Sequence, residues 1–209
     1  YTILLVVSRS GIPVSLAKLI SDRIARDQRK SAFKIFTVGR NLSIVVGFVF
    51  SLIMALLARP IVNFLQWDPR AYYAVLALSP AIFFVSIMAN FRGFFQGLQD
   101  MVPTALSQII EQLVRMTTMI VLVLLLVPYG LGYAAAGATF GAVTGAIAGL
   151  LTLIYIYYRR KKDIWEYVQT GVIEDIDSFK IIQQISSLAI PLTFGALVLP
   201  LMNLVDAAI

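Results

Sequence analysis

The feature that most constrains this sequence is the recurrence of apolar blocks about 20 residues long, separated by short charged stretches. A helix rising about 1.5 Å per residue needs that length to cross roughly 30 Å of hydrocarbon. Hydrophobic residues make up 59% of the chain and charged residues 13%, with a mean hydropathy of +0.86. A soluble domain carries about a quarter charged residues, so this composition cannot supply a water-facing surface and lipid is the expected solvent. The expected fold class is all-α: a polytopic transmembrane helix bundle with about six spans, since a single-segment structure in lipid must satisfy its own backbone. The blocks place these spans at about 1–20, 38–60, 71–91, 102–127, 130–158 and 185–209.

Breaker residues mark the ends. The second block closes on Arg59-Pro60, the third holds Pro80, and the fourth opens on Val102-Pro103, where a first-turn proline gives up no hydrogen bond. The tight turn Pro128-Tyr129-Gly130 makes the fourth and fifth spans an antiparallel pair. Residues 163–184 mix acidic and apolar side chains and are expected to form a cytoplasmic amphipathic segment, with a helix starting after the N-cap pair Asp177-Ser178. The chain opens on Tyr1 and stops at Ile209, both within apolar runs, so a fragment of a longer transporter-like polypeptide is expected, its second half missing.

The net charge of +6 follows the loops rather than a nucleic-acid-binding face, because no aromatic-basic interleaving accompanies it. Alternate loops hold Arg23, Arg26, Arg29, Lys30 and Lys34, then Arg92, then Arg159, Arg160, Lys161, Lys162 and Lys180. The intervening loops hold only Arg59 and Arg70. The positive-inside rule therefore puts loops 21–35, 92–101 and 159–184 in the cytoplasm. Trp67, Tyr72, Tyr73 and Tyr129 fit an outer aromatic belt, and Tyr155, Tyr157, Tyr158 and Trp165 an inner one. With no cysteine and no histidine, disulfides, thiolate metal sites and the usual acid-base group are excluded, and neither a metal nor a cofactor is expected.

Several residues stand out within the spans. Gly137, Gly141, Gly145 and Gly149 recur at every fourth position beside Ala134, Ala138, Ala142 and Ala146, a pattern that lets two helix backbones approach closely, as a packing seam or a sliding surface. Glu111 and Arg115 are an i,i+4 pair in the favourable order, either structural or facing a wet cavity. Asp206 lies beside Asn203 in a block interrupted by Pro191, Gly195 and Pro200, where ion coupling or substrate contact usually sits; solvation at the outer interface is the alternative. Arg9, above Gly11-Ile12-Pro13, either presents a cation to a central cavity or snorkels outward, whereas Lys18 and Arg40 snorkel. The stretch 91–103 reads as a compact turn or hinge built on Gly93, Gly97, Asp100 and Pro103, with Pro191 and Pro200 as further hinge positions.

The run Arg92-Gly-Phe-Phe-Gln-Gly-Leu-Gln-Asp100-Met-Val-Pro103-Thr-Ala-Leu-Ser-Gln108-Ile-Ile-Glu111-Gln112-Leu-Val-Arg115 resembles the signature of the polysaccharide-biosynthesis and stage V sporulation protein B family. Gly11-Ile-Pro13-Val-Ser-Leu-Ala-Lys18-Leu-Ile-Ser resembles that family's second helix. Ile190-Pro191-Leu-Thr-Phe-Gly195 through Pro200-Leu-Met-Asn203-Leu-Val-Asp206 resembles its seventh. The resemblance implies a MATE-like fold of the multidrug/oligosaccharidyl-lipid/polysaccharide (MOP) exporter superfamily, with two six-helix halves around a central cavity, of which this chain would hold helices two to seven. It implies the plasma (inner) membrane of a bacterium. It further implies flipping of a polyprenyl-pyrophosphate-linked sugar, lipid II-like, to the outer leaflet by alternating access, with Arg9 a candidate cation for the diphosphate.

Other classes need different parts. A cation-coupled multidrug or small-solute antiporter of the same superfamily would carry its coupling ion, H+ or Na+, on Glu111 or Asp206. A membrane enzyme needs a convergent acid-base or metal cluster, and none is readable; a channel needs a polar face along several helices, which blocks 38–60, 71–91 and 130–158 lack.

Overall fold

The computed structural model describes residues 2–64, 66, 68–169 and 177–206, with side chains described at Gly11, from Pro13 to Thr193 within those stretches, and at Gly195. The chain is helical: α1 Thr2–Ala25, α2 Arg29–Phe64, α3 Ala71–Gly97, α4 Val102–Leu126, a 3-10 turn Val127–Tyr129, α5 Leu131–Arg159, α6 Lys161–Gln169 and α7 Ser178–Asp206. Among the described residues, four stretches are long and apolar enough to cross a membrane: Arg29–Leu56, Ala71–Gly97, Val102–Tyr129 and Leu131–Arg159. The outer ends of the first and last expected spans, Trp67 of the expected outer belt and residues 170–176 of the expected amphipathic segment lie outside the described residues.

The helices run past the apolar blocks into the charged stretches. The loop expected over 21–35 narrows to the few residues between α1 and α2, because Arg and Lys are good helix formers whose heads reach water from a helical stem. Its reversal uses Asp27 at φ 60°, a left-handed position that Asp tolerates, and the Gln28 N–H donates to the Arg23 carbonyl at 2.8 Å. The compact turn expected over 91–103 likewise shrinks to the residues after Gly97, so Gly93 and Gly97 are helical. Burial of Phe91, Phe94 and Phe95 holds that extra length of α3 in register. Pro13, Pro60 and Pro80 all sit inside helices.

The amphipathic helix is displaced from its expected start. It begins at Lys161, directly after α5, while Asp177-Ser178 opens α7. The reason lies in the sequence after Ser178, where no glycine or proline intervenes before Pro191, so one helix continues from the cap into the apolar block. The Ile181 N–H donates to the Asp177 carbonyl at 3.2 Å as the first turn forms.

Two compact units divide the chain. One comprises residues 1–43, 89–104 and 156–209. In it α1 packs on α7, and Gly11 lies against Ala189 and Thr193. The core joins Leu16 and Ile20 of α1, Ile35 and Phe36 of α2, Phe94 and Phe95 of α3, and Ile181 and Ile185 of α7, each 2% exposed or less. Rings reinforce it: Phe36 stacks obliquely on Phe94 with centroids 4.2 Å apart, and Tyr157 of α5 meets Phe91 edge-on at 5.7 Å.

The other unit comprises residues 44–88 and 105–155. There Ala58, Val62 and Val75 pack α2 on α3, and Ala81, Ala142 and Val143 pack α3 on α5. Hydroxyls cross between helices, Ser51 donating to the Ser79 carbonyl at 2.9 Å and Thr139 to the Ala74 carbonyl at 3.1 Å. On α5 the glycines lie against α4 turn by turn. A Cβ on Gly145 would stand 2.7 Å from the Glu111 carbonyl oxygen and 2.9 Å from Arg115 Cβ. Gly145→Ala is therefore expected to destabilise the protein by about 1–3 kcal/mol through overpacking, and Ala135→Leu, on the exposed face of the same helix, to change little. Thermal unfolding in detergent micelles checks the difference.

Candidate functional site

The charges inside the apolar helices are where function is to be sought, since each costs roughly 2.5–3.5 kcal/mol on insertion scales unless paired or wet. Glu111 and Arg115 lie one turn apart on α4 and form an ion pair, with side chains 1% and 18% exposed. The helix brings them together without tertiary help, because i and i+4 share a face. What buries them is the neighbouring helix. Gly141 approaches the Arg115 carbonyl and Met119, Gly145 the Glu111 carbonyl, and Gly149 the Ser107 carbonyl and Glu111 Cβ. The α5 backbone thus rides over the stems of both charged residues, in an antiparallel register that also brings Gly137 to Leu122 and Leu126.

This arrangement buries the Glu111 carboxylate and leaves Arg115 partly exposed beside it. With Glu111 covered, neither a substrate nor bulk water reaches its carboxylate directly, and the four glycines form a close-packed seam. Met88 of α3 completes the cover, its sulfur lying 2.9 Å from where a Gly149 Cβ would stand.

In the other unit the signature run has a second role. Gly93 meets the Pro13 carbonyl and Leu16, and Gly97 meets Ile20 and Ala17, so the two glycines expected at a hinge form a further helix-helix seam, α3 on α1. Asp100 remains in the turn. One of its carboxylate oxygens accepts from the Val102 N–H at 3.2 Å at the start of α4, and the other pairs with Arg160 just beyond α5. Pro103 occupies the first turn of α4, as its missing N–H requires. Arg92 is buried, 7% exposed. Pro191 lies inside α7 with an exposed side chain. The side chains of Arg9, Asn203, Asp206 and Pro200 lie outside the described residues, although their helices α1 and α7 are described.

Two features escaped the sequence. The Asp100–Arg160 pair spans 60 positions, and only the basic run after Tyr158 hinted that a partner was needed. Asn90 of α3 is fully buried, and neither atom of its amide has a partner among the described residues. It sits where Gly39 of α2 leaves room, with Leu16 and Ile185 alongside. A lone Asn in an apolar block gives no periodic signal.

Comparison with known proteins places these residues in context. The family described as "Polysaccharide biosynthesis protein" matches residues 1–209. The chain is 32% identical over 219 residues to the lipid II flippase MurJ of Bacillus subtilis (strain 168), covering 99% of this chain and 40% of that protein. It is 30% identical over 105 residues to the stage V sporulation protein B of the same organism, covering 50% of this chain and 20% of that protein. The chain therefore spans well under half the length of both relatives. No solved structure matches it.

The buried pair has a measurable signature. Glu111→Gln leaves the Arg115 charge uncompensated in the seam and is expected to cost about 3 kcal/mol. The double variant Glu111→Gln/Arg115→Gln removes both charges and is expected to recover more than half of that loss. Chemical unfolding of both variants in detergent, compared with the parent, checks the recovery.

Proposed function

Because this chain belongs to the polysaccharide biosynthesis protein family, we propose that the full-length protein moves a polyprenyl-pyrophosphate-linked saccharide from the cytoplasmic to the outer leaflet of a bacterial plasma membrane. Likeness to a lipid II flippase along nearly the whole chain carries this reading. No bond is made or broken. The physical task is to carry a diphosphate and a sugar through a layer that rejects both while the lipid tail stays in the bilayer.

The chain's own parts suit that task unequally. Glu111 and Arg115 pair with one another on α4 beneath the glycines of α5, so in this reading they belong to a seam whose close backbone contacts keep two helices moving as one body. Contact with the substrate falls to α1 and α7, which pack on each other and carry Arg9, Asn203 and Asp206 together with Pro13, Pro191 and Pro200. Arg9 would supply bidentate donors for a phosphate, and interruptions by proline free backbone groups that lipid cannot satisfy but a cavity can. The basic stretches at the ends of α1, α2 and α5 put those ends in the cytoplasm, which makes α1 run inward and α7 outward.

A fluorescent polyprenyl-pyrophosphate saccharide in proteoliposomes with the full-length protein tests the proposal. Protein-dependent passage between leaflets is expected. Arg9→Ala should slow it about tenfold, the worth of one charge-assisted hydrogen bond, and Glu111→Gln/Arg115→Gln should slow it less. Absence of lipid movement, with drug efflux driven by a proton or sodium gradient instead, would refute it.

A further inference from the structure

At one end of α2 and α5 the chain passes from apolar helix to a belt of cations and rings. Arg29 begins α2 and Arg159 ends α5, and both helices are long and apolar enough to span a bilayer, so these residues mark its boundary. The nine-residue helix α6 follows at once and lies beside the first turns of α2. Trp165 meets Phe33 edge-on at 6.0 Å, and the Arg29 guanidinium covers the Tyr167 ring at 4.2 Å. Between the two helices is an open cleft of about 380 Å³ lined by Lys30, Phe33, Trp165, Val168 and Gln169. That volume falls within the roughly 300–1,000 Å³ typical of small-molecule sites.

The lining has two halves. Phe33, Val168 and the Trp165 ring make an apolar wall, with Val168 8% exposed and Trp165 50%. Lys30 and the Gln169 amide make a polar rim, and Lys30 has no acidic partner among the described residues. The acids of α6 do not cancel this. At about 100° per residue Asp163 and Glu166 fall on the side of α6 opposite Ile164, Trp165 and Val168, whereas Lys161 shares the cleft side. The other charges on the packed elements, Lys34 on α2 and Arg159, Arg160 and Lys162 at the α5–α6 junction, are cationic, and Asp27 is engaged by Arg29. An apolar wall beneath a cationic rim at a bilayer boundary matches an amphiphile whose head is anionic and whose tail is hydrocarbon.

We infer that the cleft between the start of α2 and α6 seats the headgroup of an anionic phospholipid, Lys30 binding the phosphate while Trp165 and Phe33 receive the first acyl carbons, and that this lipid docks α6 to the membrane. The inference concerns a bulk membrane lipid and stands apart from the transported substrate. It rests only on the bilayer boundary marked by Arg29 and Arg159, not on transport.

The test uses the full-length protein with every tryptophan except Trp165 replaced by phenylalanine, reconstituted in nanodiscs. Brominated phosphatidylglycerol or brominated phosphatidylcholine is titrated into an unbrominated phosphatidylcholine background while Trp165 fluorescence is followed. Brominated phosphatidylglycerol is expected to quench at a several-fold lower mole fraction. Lys30→Glu should reduce that preference at least about fivefold, the effect of one cation near an anionic headgroup, while Arg59→Glu, with the same change in net charge in the other unit, should preserve it. Where Lys30→Glu does not fold, as judged by helical circular dichroism, Lys30→Gln should reduce the preference in the same direction. Equal quenching by the two lipids, equal loss in the Lys30 and Arg59 variants, or abolition of the preference by soluble glycerol phosphate would each overturn the lipid site. All of these readouts are blind to flipping, so their failure leaves the transport proposal intact, and a failed transport assay leaves this site intact.

Discussion

Hydrocarbon gives an apolar helix no reason to turn from lipid toward another helix, so the contacts that hold this chain must be ones lipid cannot make. The close approach of backbones is the main one. Along α5, glycines at every fourth position bring the helix to within contact of α4 carbonyls for four successive turns. Much of the remaining surface of α4 stays exposed, with Ile109, Leu113, Met116 and Leu124 all more than half exposed. A helix held by one narrow stripe has little tolerance for a methyl group in that stripe. The same device recurs in the other unit, where Gly93 and Gly97 fit α3 to Pro13, Leu16 and Ile20 of α1.

Such proximity decides what the polar groups can do. The carbonyls exposed by small residues are covered by the partner helix, and the hydroxyls mostly turn back on their own helices, Ser15 to the Gly11 carbonyl at 2.7 Å and Thr152 to the Ala148 carbonyl at 2.8 Å. The charges of α4 follow the same logic, since Arg115 pairs through one guanidinium nitrogen with Glu111 beneath α5 and the pair becomes part of the seam. An ion pair of this kind adds less stability than its distance from water implies, but losing one member is costly.

The proposed transport of a charged lipid head gives this division of labour a use. Helices that must stay together are sealed by glycine seams, while α1 and α7, with prolines inside them, carry Arg9, Asn203 and Asp206, the residues proposed to meet the substrate. The rings and cations near Arg29 and Trp165 add a third zone where α6 meets the start of α2 and the charged residues begin.

The all-α class, the Pro128-Tyr129-Gly130 reversal and the membership of Gly137 to Gly149 in one stripe are legible in the residues, because hydropathy and helical spacing are local properties. Helix ends were less so: Arg29 to Lys34 and Gly93 to Gly97 read as loops, yet packing of Phe36, Phe91 and Phe94 extends the helices through them. Sequence could pair Glu111 with Arg115 by spacing but could not tell a wet cavity from a dry seam. Nor could it join Asp100 to Arg160, or set Asn90 against Gly39. Those outcomes depend on which helix lies alongside, and between helices in lipid that choice is made by shape over many residues at once, so only the tertiary structure decided it.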